Sequence, residues 1–226
     1  MPKLETKDKM KLRFLITITL IAILTAFRPT EKKTINLDFG FNVTVGQSED
    51  FGDFSTYTYF ELTKGDQKIY IDNSLTEYEF GDKLYPIVLK TNLDSYELLF
   101  EINDRPNKNY LKRLFIKNDT LFKEDKLPTF ITRAKDLDND GVKEYAGFWD
   151  YAQVWGENNN LTAYNPIIYY EFKNNGQLQI DSILTIERNK AIYGQFHGFS
   201  FSEEKEQSTN SLKLFSEELD KIENEN

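Results

Sequence analysis

From about Thr34 to Phe201 the chain alternates short apolar–polar stretches with turn signals about every ten residues, and that rhythm restricts it to an antiparallel all-β fold. "TINLDFGFNVTVG" alternates, with Ile35, Leu37, Phe39 and Phe41 on one face. "STYTYFELT", "QKIYID", "LYPIVLKT", "SYELLFEI", "YLKRLFIK" and "NPIIYYEFK" read as further strands, separated by turns such as "KGD", "NDRPNKN" and "NDT". "NNG" joins "NPIIYYEFK" to "QLQIDSILTIE" as a hairpin, and the second strand sets Leu178, Ile180, Leu184 and Ile186 on one face. The expected architecture is a propeller-like, barrel or sandwich domain with a short C-terminal helical or disordered tail. Residues 28–202 form that β domain. Residues 203–226 form the polar tail, where Leu212, Leu214, Phe215 and Leu219 make one short amphipathic helix.

Aromatic residues make up 15% of the 226, enough large side chains to build a core despite the polar average. The net charge of −9 repels phosphate backbones and anionic bilayers, so nucleic acid is excluded as a partner and a cation or a basic protein fits better. With no cysteine the chain has no disulfide, thiolate metal site or thiol nucleophile. His197 is the one histidine, and it reads as a packed or surface side chain and not as a general base.

The amino terminus has another character. Lys3, Lys7, Lys9, Lys11 and Arg13 precede an apolar run from Phe14 to Phe27, so residues 1–27 read as a signal peptide or a membrane anchor. The expected location is extracytoplasmic, with membrane contact only through this segment if it stays uncleaved. Its removal takes away five basic and two acidic residues and leaves −12.

"AKDLDNDGVKEYAGFWDY" is the densest chemical signal. Counted from Asp136, carboxylates fall at positions 1, 3, 5 and 9 (Asp136, Asp138, Asp140 and Glu144), with Gly141 at 6 and the Val142 carbonyl at 7. A loop curling round a point turns alternate oxygens inward, and the glycine allows the sharp bend. Carboxylates this close repel one another, and a hard divalent cation relieves that, calcium best of all. An EF-hand would need a glutamate at position 12, which is Gly147. The segment from about Phe130 to Phe148 resembles the DxDxDGxx(D/E) loops of integrin-type FG-GAP repeats and related bacterial β-propellers. The resemblance implies a calcium loop at 136–144 between two strands, with Asp136, Asp138, Asp140 and Glu144 as side-chain ligands and Val142 as a backbone ligand. More distantly, the layout resembles periplasmic calcium-binding inhibitors of cell-wall hydrolases, which implies a basic hydrolase as the partner.

Trp149, Tyr151 and Trp155 follow the loop and are candidate partner-binding residues, for a protein or a glycan. Core packing is their alternative role. The expected function is a non-enzymatic, calcium-stabilised binding protein, with a peptidoglycan-hydrolase inhibitor as its specific form. A glycan-binding module and a carboxylate-based glycoside hydrolase remain open. The hydrolase would draw on acids such as Glu101, Asp104, Asp150, Glu157 and Glu171.

Overall fold

The computed structural model describes residues 32–72, 74–81 and 84–224. The amino-terminal segment 1–27 lies outside the described residues. Among the described residues no helix is long and apolar enough to cross a membrane.

The all-β expectation holds. The first sheet has nine antiparallel strands: β1 (Lys33–Asn36), β2 (Phe41–Asp50), β3 (Ser55–Lys64), β4 (Gln67–Asp72), β5 (Glu77–Phe80), β6 (Ile87–Asn92), β7 (Ser95–Asn103), β8 (Tyr110–Lys117) and β9 (Thr120–Pro128). Two long strands share their edges. Ser55–Tyr57 of β3 pair with β5 and Phe60–Lys64 with β4, while Ser95–Leu99 of β7 pair with β6 and Ile102–Asn103 with β5. β5 therefore joins two halves that fold over one core without closing into a barrel. Phe41, Val43, Phe60, Leu62, Tyr78, Leu98, Phe100 and Leu114 fill that core. Each is essentially sealed from water, worth roughly 1.5–3 kcal/mol per large side chain.

The outer face of β7 and β8 is covered by a second sheet, in the order β10 (Glu144–Gly147), β13 (Ile168–Phe172), β14 (Leu178–Ile180). Leu99, Leu111, Phe130, Tyr145 and Tyr170 pack between the two. With both faces covered, β7 is buried for eight consecutive residues. The far face of the second sheet presents Ala146 and Tyr169 to two helices, α1 (Ser182–Tyr193) and α2 (Asn210–Asn224), through Leu184, Ile192, Phe215 and Ile222. A third small sheet runs β11 (Val154–Trp155), β12 (Leu161–Tyr164), β15 (Ser202–Ser208).

Three local expectations are corrected. "TINLDFGFNVTVG" is two strands, since Phe39 (φ 58°) and Gly40 (φ 78°) turn the chain and Leu37 N–H donates to the Phe41 carbonyl at 2.8 Å. Phe39 is consequently 48% exposed while Phe41 is sealed. "QLQIDSILTIE" is a strand only to Ile180. The Asp181 carboxylate accepts the N–H groups of Ile183 and Leu184, both at 2.9 Å, and so starts α1, while Gly194 at φ 76° ends it. The last stretch carries edge strand β15 as well as a fifteen-residue helix, whose buried face is Ser211, Phe215, Glu218 and Ile222. Leu214 is 43% exposed.

Candidate metal centre

The acidic loop hangs from a narrow neck. Phe130 bridges Gly147, and Lys135 and Glu144 exchange two backbone hydrogen bonds of 2.9 and 2.7 Å. Gly147 is required at the neck because a Cβ there would stand 2.6 Å from the Thr129 carbonyl oxygen. Inside the loop Asn139 (φ 66°) and Gly141 (φ 89°) take left-handed conformations. The carboxylates hold the bend: Asp136 accepts Gly141 N–H at 3.1 Å, Asp138 accepts Asp140 N–H at 3.1 Å, and Asp140 accepts Val142 N–H at 2.7 Å.

Asp136, Asp138 and Glu144 each bring an oxygen within 4.8 Å of the other two. Oxygens on opposite sides of a calcium ion, each about 2.3–2.6 Å away, stand about 5 Å apart, so this spacing fits calcium with little adjustment. Glu144 opens β10 and is only 2% exposed. Its Oε2 accepts the buried Leu137 N–H at 2.8 Å. Burial raises its pKa to about 7, the Leu137 N–H opposes the rise, and Asp138, Asp140 and Asp136 add to it. Asp136 Oδ1 is buried without a hydrogen-bond partner. A buried, unsatisfied carboxylate oxygen beside a buried glutamate is a donor set suited to a hard cation. The fourth carboxylate, Asp140, stands outside the group of three.

The loop is fastened to both helices. Lys135 Nζ donates to the Ile222 and Glu223 carbonyls at 3.0 and 2.9 Å, near the C-terminal end of α2. Arg188 of α1 donates to the Leu137 carbonyl at 2.9 Å. Leu137 itself is buried in the helix-facing core.

The aromatic candidates diverge after β10. Phe148 packs edge-on against Phe215 of α2 at 5.3 Å. Trp149 is half-buried and Tyr151 is 56% exposed. Trp155 belongs to the third sheet, opposite Leu161, and its Nε1 donates to Glu206 at 3.2 Å. His197 packs edge-on against Tyr164.

Two polar groupings had no signal in the sequence because distant strands assemble them. Asn109 Nδ2 donates to Glu79 at 3.0 Å and to Glu101 at 2.9 Å, and Arg105 pairs with Glu79 at 2.6 Å. Lys108 Nζ donates to Thr129 Oγ1 and sits 4.3 Å from the centre of the Phe148 ring. Burial lowers its pKa to about 8, against the attraction of Glu101 and Asp150. Labelling with acetic anhydride across a pH series, read by peptide mapping, is expected to show Lys108 half-reactive near pH 8. Exposed lysines should follow at about 10.4. A Lys108 profile matching theirs would show that the ammonium stays solvated.

Compared with protein-family models, curated proteins and solved structures, the chain matches none of them, so the reading of the site stands on its own geometry.

Proposed function

We propose that the protein is a non-enzymatic, calcium-stabilised binding protein that works outside the cytoplasm. Two features carry the reading together: Asp136, Asp138 and the buried Glu144 each bring an oxygen within 4.8 Å of the other two, and Asp136 Oδ1 is buried without a partner. A calcium ion held there by protein oxygens is a brace: it offsets the repulsion among the carboxylates and fixes the neck from which β10 starts. Such an ion is a poor water activator beside zinc. Extracellular calcium modules bind at about 10⁻⁴–10⁻³ M, which suits a protein led by the basic–apolar segment 1–27. The specific form of the reading is an inhibitor or immunity protein against a basic peptidoglycan hydrolase, supported by the net charge of −9.

Calorimetric titration with calcium is expected to reveal one site with Kd of about 10⁻⁴–10⁻³ M, and none in Asp138→Ala. The protein is expected to release no product from peptidoglycan or simple glycosides, and to lower the activity of an added lysozyme-type hydrolase.

One observation favours a second reading, a carboxylate-based glycoside hydrolase. Glu79 and Glu101 both reach a single amide nitrogen, a separation compatible with a catalytic pair. Turnover of a glycoside that is lost in Glu101→Gln would put this reading in place of the first.

A further inference from the structure

An open cleft of about 470 Å³ lies far from the acidic loop in sequence, at the end of the first sheet. The tip of the β2–β3 hairpin forms one wall, closed by the Phe51 N–H donating to the Phe54 carbonyl at 3.0 Å. The turn before β5 and the β7–β8 loop form the others, through Leu75 and Arg105. Polar side chains make up most of its lining, but large apolar ones lie exposed among them. Phe51 is 52% exposed and Leu75 94%. Phe51 stacks on Phe54 at 5.0 Å, and the Arg105 guanidinium lies 4.1 Å from the Phe54 ring centre. The rim is acidic. Glu49, Glu77 and Asp104 face the cleft, and Arg105, the one cation among the described residues that line it, is already ion-paired to Glu79 at 2.6 Å. Asp50 and Asp53 add two more exposed carboxylates to the same hairpin tip.

We propose that this cleft is a docking site for a basic segment of a partner protein, one that presents an arginine or lysine beside an apolar side chain. The acid rim and the negative protein behind it select a cationic occupant and repel an anionic bilayer. The exposed Phe51 ring and Leu75 offer the apolar anchor that a bare cation would leave unused. Arg105 on Phe54 shows that an aromatic ring here already accommodates a guanidinium on its face. The inference deepens the binding reading above and rests on it.

The test uses the full chain and a fluorescein-labelled peptide alternating arginine, leucine and lysine, read by anisotropy. Phe51→Ala is expected to weaken binding about tenfold, and so is the triple change Glu49→Gln, Glu77→Gln, Asp104→Asn. Raising salt from about 50 to about 500 mM should weaken it further. A control that removes charge elsewhere, Glu203→Gln with Glu204→Gln on exposed β15, should leave it unchanged. No binding, equal binding of a glutamate-substituted peptide, an unaffected Phe51→Ala, or equal losses in the triple variant and the control would each overturn the assignment. If the peptide fails and the protein turns over glycosides, the binding reading falls as well. If the peptide fails without turnover, only the cleft assignment falls.

Discussion

Replacing Lys112 with methionine is expected to lower stability by about 3–5 kcal/mol, because it strands a buried carboxylate. Lys112 of β8 and Asp72 of β4 meet at 2.8 Å, with side chains only 9% and 7% exposed. Tyr78 OH donates to the same Asp72 oxygen at 2.9 Å, and Ser74 N–H to the other at 2.8 Å. β4 and β8 are not neighbours in the sheet, so the pair ties its two halves together. Burial works against the Asp72 charge, but the hydrogen bonds from Lys112, Ser74 and Tyr78 outweigh it and hold the carboxyl well below the usual range. Burial likewise opposes the Lys112 charge, and Asp72 and Tyr70 overcome it and raise the amine. The signs define the window. Asp72, depressed when folded, contributes above its unfolded value near 3.9 and loses that contribution as pH falls further. Lys112, raised when folded, contributes below about 10.4 and loses it as pH climbs through its folded value. Urea unfolding should therefore separate wild type from Lys112→Met fully between about pH 5 and 9, with the gap closing toward pH 3. At about 2–4 °C per kcal/mol, the melting temperature should fall by at least about 6 °C. A loss under about 1 kcal/mol would mean that the pair behaves as a surface salt bridge. The double change with Asp72→Asn should recover part of the loss.

Calcium at about a hundredfold over its Kd is expected to stabilise the protein by about 2.7 kcal/mol, a rise of about 5–10 °C in melting temperature. Asp138 is exposed, so Asp138→Ala should abolish that rise while changing little in chelator. Glu144→Ala should behave differently. It removes the acceptor of the buried Leu137 N–H, so it should cost about 1–3 kcal/mol even in chelator, besides losing the calcium response. Magnesium should give a smaller shift, since it demands shorter bonds and a stricter octahedron. Equal melting temperatures in chelator and in about 10 mM calcium would remove the site from consideration.

Strands were legible in the sequence wherever alternation met a turn signal, as in β3, β7, β8 and the β13–β14 hairpin. Double burial of β7 was not. Glu97 and Glu101 look like a solvent face, and only the fold brings Arg113 to Glu97 at 2.7 Å and Asn109 to Glu101. Helix α1 escaped because period-two alternation runs through Leu178, Ile180, Leu184 and Ile186, while the helical stripe is weak: Ile183 is 74% exposed. Asp181 and Gly194, a cap at each end, were the signals to weigh against it. The acidic loop was legible because its groups are neighbours in the chain. Its outcome was not, since which carboxylate turns to a backbone N–H depends on the φ of Asn139 and Gly141. The Lys108 surroundings and the cleft at Phe51 are assembled across strands and leave no local pattern.

The placement of Lys135 between the acidic loop and the end of α2 bears on the order in which the chain acquires its structure. The nine-stranded sheet is built largely from consecutive hairpins, so it can assemble from contacts close in sequence while synthesis is still under way. The loop's outer fastening has no such option: the carbonyls that receive Lys135 belong to Ile222 and Glu223, 87 and 88 residues further along the chain. The helix-facing core that buries Leu137 likewise waits for Phe215 and Ile222. A nascent chain would thus carry a formed sheet and an unfastened loop until α2 emerges.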